Sequence, residues 1–235
     1  GKFTILQVSD PQDLQYVRKT MMKMLDKAYD RVKPDLIVFT GDNVLGNHFR
    51  DARTLTPLFV KTKEAEFKAM KVAIEKLLRP VEDRKIPFAM IYGNHDDMNE
   101  ITKKEQSDIY RSYPHFVGLD NDVEILKDET FNIPIYSEDG SEIKFNIWMM
   151  DSAWKDKEED KCYSQVKPEA IEWYKKKSAE LKAQNDGKPV PSLMFQHIPL
   201  IETFELTEEC SKNTKGAIKT PDGKYIKLKD SCKGV

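Results

Sequence analysis

The chain has 235 residues, room for one large domain or two small ones, and it is 39% hydrophobic and 33% charged. Its 38 Lys and Arg stand against 40 Asp and Glu, a net charge of −2, which is not the signature of a nucleic-acid or polyanion binder. No apolar run reaches the roughly 18 residues of a membrane span, and Cys162, Cys210 and Cys232, without C-x-x-C spacing, make neither a zinc motif nor a disulfide framework.

The chain opens directly into an apolar run, "FTILQV", with no signal peptide before it. This has the look of a trimmed N-terminus, so localisation stays open, a secreted or periplasmic parent included. A pairing of Cys210 with Cys232 is equally undecided.

"FTILQV" reads as a strand bounded by polar residues. Residues 14 to 32 then carry Leu14, Val17, Met21, Met24 or Leu25, Ala28 and Val32 at helical spacing, with Met21, Met22 and Met24 expected as core filler. "DLIVFT" is a second strand. Residues 62 to 79 place Phe67, Met70, Ile74, Leu77 and Leu78 on one helical face, and "IPFAMIY" is a third strand. This β-α-β-α-β order predicts parallel strands with helical cover.

The pattern changes after that. "FNIPIY" and "KFNIWMMD" flank Asp139-Gly140, a hairpin signal. A helix is predicted from about Pro168, with proline in its first turn and Ile171, Tyr174 and Leu181 on one side. "SLMF" is a short strand, and a last hairpin turns at Pro221-Asp222-Gly223. The basic stretch "YKKKSAELK" reads as a solvated helix face. The fold class is α/β, with a parallel first half and antiparallel additions.

Chemistry gathers where the apolar strands stop. Ser9-Asp10-Pro11-Gln12 follows the first strand, Gly41-Asp42-Asn43 the second, Gly93-Asn94-His95-Asp96 the third, and Gln196-His197 the strand "SLMF". In a mostly parallel sheet such turns open on one edge, where ligands of α/β proteins bind. Two carboxylates, an amide oxygen and an imidazole there make a hard-to-borderline metal set. Close carboxylates also repel unless a cation lies between them. Gly41 and Gly93 fit turns in which backbone approaches something closely. No G-x-G-x-x-G or P-loop motif follows any strand, which sets aside a nucleotide-binding α/β domain.

The ordered set resembles the calcineurin-like metallophosphoesterases. That family reads D-x-H, then G-D, then G-N-H-[D/E], then a lone His, then G-H-x-H. Here the series is Asp10-Pro11-Gln12, Gly41-Asp42, Gly93-Asn94-His95-Asp96 and His197, across residues 3 to 200. "TGDNVLGN" and "QHIPL" are similar to the purple-acid-phosphatase-like branch.

The resemblance implies a four-layer α-β-β-α sandwich of mixed sheets and two divalent metal ions, Mn²⁺ or a combination of Fe, Zn and Mg. Asp42 would bridge both ions, Asp10 would bind the first, and Asn94 and His197 the second. A metal-bridging hydroxide would attack phosphorus in line. His95 would act on the phosphoryl group or the leaving oxygen, with Asp96 holding its ring. The expected partner is a phosphorylated small molecule or protein, as monoester or diester; the alternative is a weak or inactive relative that only binds such a ligand.

Two departures qualify the match. Gln12 stands where the family has histidine, either as a substituted ligand or as a partner of the ligands. No G-H-x-H precedes Val235, so the expectation is one domain over residues 1–235, lacking its C-terminal part and last metal motif, with incompletely filled metal positions. The loops at 43 to 60 and 97 to 122 are the expected specificity elements, with Tyr110, Tyr113, His115 and Trp154 as candidate cleft residues.

Overall fold

Parallel strands with long apolar runs need cover on both faces, and that requirement, strongest for the second and third strands, organises the first half of the molecule. The computed structural model describes residues 2–46, 62–152 and 165–229. Strands β1 (Ile5–Val8), β2 (Leu36–Thr40) and β3 (Phe88–Ile91) run parallel in that order. Register sets Val8 opposite Phe39 and Thr40 opposite Ile91, so the three strands finish nearly level. The crossovers are α1 (Lys19–Val32) and α2 (Lys63–Asp83). Leu25 and Tyr29 of α1 and Met70, Ile74 and Leu78 of α2 are buried in one cluster with β2 and β3.

Helix α1 starts later than its apolar spacing suggests. The Asp13 carboxylate accepts the Arg18 backbone N–H at 2.7 Å and its Nε at 3.1 Å. That local bonding competes with helix for residues 13 to 18. Leu14 packs on the core from the loop instead. Met21 and Met22 pack there too, but Met24 is 63% exposed, so it is not core filler; Leu25 takes the buried position.

A stretch expected as loop holds a third helix, α3 (Lys103–Arg111). Only Ile109 and Tyr110 are its buried large apolar residues, too few to write a periodic stripe. Its signal was a capping box: Thr102 Oγ1 accepts from Glu105 N at 3.2 Å, while Glu105 accepts from Thr102 N at 2.8 Å.

The second sheet is a hairpin with one strand added. β4 (Phe131–Tyr136) and β5 (Ile143–Met149) are antiparallel, joined through Asp139 and Gly140 as their sequence predicts. After helix α4 (Pro168–Gln184), β6 (Ser192–Phe195) returns parallel to β5. Side chains of β5 alternate between two cores. Ile147 and Met149 join the cluster that contains β2 and β3. Trp148, and Met150 just beyond the strand, join Ala170, Trp173 and Leu181 of α4, with the two tryptophan rings edge-to-face at 5.7 Å.

The chain divides into two compact units, Gly1–Ile198 and Pro199–Val235. The second begins with a 3₁₀ turn at Ile201–Leu206. It then forms a small antiparallel sheet of β7 (Thr207–Glu209), β8 (Ile218–Lys219) and β9 (Tyr225–Leu228), in the order β7-β9-β8. The expected last hairpin is the β8–β9 pair; β7 carried no legible signal in its three residues, Thr-Glu-Glu. Cys162 and Cys232 lie outside the described residues.

Candidate metal centre

The turns after β1 and β2 are tied to one another before any side chain is considered. Asp10 N donates to Gly41 O at 3.1 Å and Gln12 N to Asp42 O at 2.9 Å. Asp10, Gln12 and Asp42 all take positive φ, at 55°, 44° and 50°, sparsely populated conformations for residues with side chains. The two glycines serve close approach. A Cβ on Gly41, whose φ is +97°, would lie 2.6 Å from His197 Nδ1, and one on Gly93 would overlap the Asp42 carboxylate.

Into this space come side chains from both sheets of the first unit. Asp10, Asp42 and His197 each present a ligand atom, all within 4.8 Å of one another. His197 Nδ1 lies 3.0 Å from Thr40 O. A carbonyl only accepts, so Nδ1 carries the proton and, in the neutral ring, Nε2 keeps its lone pair. That nitrogen lies 3.2 Å from Asn94 Oδ1 and 3.4 Å from Asp42 Oδ1. Three acceptors meeting at one point need positive charge between them, either a proton on the ring or a cation. The donor set therefore fits a divalent metal. Burial opposes the imidazolium of His197, but the hydrogen bond and charge of Asp42, with the Thr40 carbonyl and the charge of Asp10, together raise the pKa above its ordinary value. Burial likewise opposes the Asp42 carboxylate, and its hydrogen bonds to His197 and to the His95 backbone outweigh that, so its pKa falls.

Gln12 meets this group through nitrogen: its Nε2 donates to Asp42 Oδ2 at 2.7 Å, the contact of a partner to a ligand. His95 gives its backbone N–H to Asp42 Oδ1 at 2.9 Å, and its Nε2 is 3.9 Å from Asp42 Oδ2. Asp96 is 1% exposed and works as a brace. Every hydrogen bond described for its carboxylate comes from Asn43, Val44 or Gly93, at 2.8 to 3.3 Å. It thereby joins the turn after β2 to the turn after β3. Burial pushes its pKa up to about 7 against the pull of the backbone N–H groups of Gly93, Val44 and Asn43.

One contributor escaped the sequence reading. Ser152 Oγ accepts from His197 N at 3.1 Å and Ile198 N at 2.8 Å. Its signal was present: the apolar run of β5 is followed by Asp151-Ser152, a polar pair, as that of β1 is followed by Ser9-Asp10. Three candidate cleft residues are instead packing residues. Tyr110 is 2% exposed, the Tyr113 ring stacks edge-on to Phe88 at 6.3 Å, and His115 Nδ1 pairs with Glu82 at 2.7 Å. Trp154 and most of the loop at 43 to 60 lie outside the described residues.

The sequence model of the calcineurin-like phosphoesterases matches residues 3–220. The chain belongs to this family. Among curated relatives, an uncharacterised protein of Schizosaccharomyces pombe is 26% identical over 203 residues, 80% of this chain and 34% of its own length. A protein of Arabidopsis thaliana named "probable inactive purple acid phosphatase 29" is 29% identical over 248 residues, 92% of this chain and 58% of its own. The chain thus spans from about a third to under three fifths of these two relatives. A solved structure described as a dimetal phosphatase from Danio rerio superposes with a TM-score of 0.52 at 11% identity, over 84% of this chain and 70% of that one, which supports the mixed α/β fold. Among the described residues, no helix is long and apolar enough to cross a membrane.

Proposed function

We propose that this calcineurin-like phosphoesterase chain hydrolyses a phosphate ester at a dinuclear metal site on the strand ends of an α-β-β-α layered domain. The observation that carries the reading is the meeting of Asp10, Asp42 and His197 within 4.8 Å, with Asn94 Oδ1 beside His197 Nε2. Bound divalent cations would supply Lewis-acid neutralisation of developing charge and activation of a water nucleophile. Oxygen donors with one imidazole suit Mn²⁺ or Mg²⁺, with Fe and Zn also admitted by the imidazole.

The chain's own residues take distinct parts. Asp42, with each oxygen facing a different set of neighbours, is assigned to bridge the two positions. Asp10 serves one position; Asn94 and His197 serve the other. Thr40 O holds the His197 ring in the tautomer that points a lone pair into the site. His95, beside Asp42 and only part-buried, is assigned to stabilise the phosphoryl oxygens or to protonate the leaving oxygen. Asp96 fixes the turn that carries Asn94 and His95, in place of orienting the His95 ring. The substrate is a phosphorylated small molecule or protein.

A second reading rests on Gln12, which stands at a ligand position yet meets Asp42 through its amide nitrogen, and on relatives whose names include "inactive". In it, the chain binds a phosphorylated ligand without turnover. An aryl phosphate monoester and diester assayed with Mn²⁺, Mg²⁺ and Zn²⁺ separate the two. Metal-dependent turnover that disappears in Asp42→Asn supports the enzyme. Mn²⁺ binding without turnover of any ester supports the binding protein.

A further inference from the structure

The proposed ligands come from two sheets. Asp10, Asp42 and Asn94 follow β1, β2 and β3, whereas His197 follows β6. The last β5–β6 ladder bond is Met150 N to Phe195 O at 2.9 Å. Beyond it the backbones of the two strands stop pairing, yet His197 must be delivered two residues further on to meet Asp42.

We propose that Ser152 is the positioning residue for His197, an inference that rests on the metal-site reading. Its Oγ takes two consecutive backbone N–H groups, those of His197 and Ile198, at 3.1 and 2.8 Å. One hydroxyl with two acceptor sites thus continues the sheet pairing by side chain, where backbone pairing has ended. Ser152 is 1% exposed, so water does not replace it freely. With the His197 backbone held by Ser152 and the ring held by Thr40 O, the imidazole is fixed from both sheets.

Ser152 is itself held firmly. The preceding Asp151 donates its N–H to Thr130 Oγ1 at 3.2 Å, and its carboxylate pairs with the Lys103 ammonium. Lys103 also lies 3.4 Å from Glu129, whose other oxygen pairs with Lys167. Two acids and two lysines in a largely buried cluster are mutually compensated, which is the condition for charges to persist there. Lys103 opens α3, and Gln106 of that helix donates to Asp96 O at 2.8 Å. The same helix therefore holds the turn that carries Asn94 and the loop that carries Ser152, a connection between the two halves of the site.

The test is Mn²⁺ binding to the full chain by titration calorimetry, together with imidazole NMR of the metal-free protein. Ser152→Ala is expected to weaken Mn²⁺ binding about 10- to 100-fold, the scale for residues that orient a ligand, and to move the His197 ring signals while those of His115 stay in place. Ser152→Thr, which keeps the hydroxyl, is expected to retain affinity within about threefold. Should Ser152→Ala fail to fold, Ser152→Cys, similar in size and a poor acceptor, replaces it with the same expectation. Affinity within about twofold of the parent in the folded variant, with His197 unmoved, overturns the proposal. His197→Ala is the control: if it binds Mn²⁺ like the parent, the metal-site reading falls and takes this inference with it, whereas loss in His197→Ala but not in Ser152→Ala defeats the positioning role alone.

Discussion

Asp42 concentrates the chemistry of the site in one side chain. Its oxygens receive the His95 backbone N–H and the Gln12 amide, and His197 Nε2 lies 3.4 Å away. A residue assigned to both metal positions should matter more than one assigned to a single position. Asp42→Asn is therefore expected to lose more metal and more activity than Asn94→Ala, measured as bound Mn²⁺ per chain and turnover at saturating metal. Equal activity of Asp42→Asn and the parent after reconstitution would remove the bridging assignment. His95 differs in kind, since it is assigned to the phosphoryl group and not to metal. His95→Asn is expected to lower turnover by about 10²- to 10⁴-fold, the usual scale for general acid–base groups, with metal content unchanged. Loss of metal in that variant would move His95 among the ligands.

The elements that carry these residues are short and depend on local bonding at their ends. α3 has nine residues, below the length at which helices persist alone, and its capping box ties down its first turn. Glu105 pairs with Lys63 at 2.8 Å and accepts from Thr102 N at 2.8 Å. The Lys63 ammonium first, then the Thr102 backbone N–H, hold its pKa down at about 2 from an ordinary 4.5. Because the folded pKa is depressed, this stabilisation is present above pH 4.5 and is lost as pH falls from 4.5 toward 2. The Glu105 side chain is 37% exposed, so the effect is modest and screened by salt. Urea unfolding of the parent and of Glu105→Gln should show the parent more stable near neutral pH and the gap closing through that acid window. A gap independent of pH would show that the capping carboxylate does not titrate with α3.

Across the whole first unit, the proposed centre joins loops from both sheets, so metal and folding should be linked. A cation bound by Asp10, Asp42, Asn94 and His197 requires the ends of β1–β3 and β6 to be in place at once, an arrangement the unfolded chain does not hold. Mn²⁺ at about 100 times its Kd is expected to stabilise the protein by about 2.7 kcal/mol, reversed by chelator. The shift should shrink in His197→Ala, which removes the ligand from the second sheet. Thermal unfolding with and without Mn²⁺ reads both outcomes, and a melting temperature indifferent to metal would argue against a site spanning the sheets.

Most strands, most helices and both hairpins were legible because burial writes itself into spacing. β2 is buried along its length and apolar up to Thr40 since it is covered on both faces, and α2 carries its stripe because one face meets the sheet. Asp10, Asp42 and Asn94 were legible because each follows an apolar run, and parallel strands bring their ends to one edge; His197 also follows such a run, but its strand β6 lies in the other sheet. Other features were decided only in three dimensions. Helix α3 buries too little apolar surface to leave a periodic pattern. Tyr110 and His115 looked like cleft residues, but residue type does not say whether an aromatic ring faces a site or a core. Asp96 adjoins His95 in sequence, yet its carboxylate takes the N–H groups of Asn43, Val44 and Gly93, since those turns come closer to it in space. Ser152 and His197 stand 45 residues apart and meet because β5 and β6 are neighbours in one sheet. Local periodicity reports how each segment divides between water and protein; which loops then face one another depends on strand order and register, and these arise only when the segments pack together.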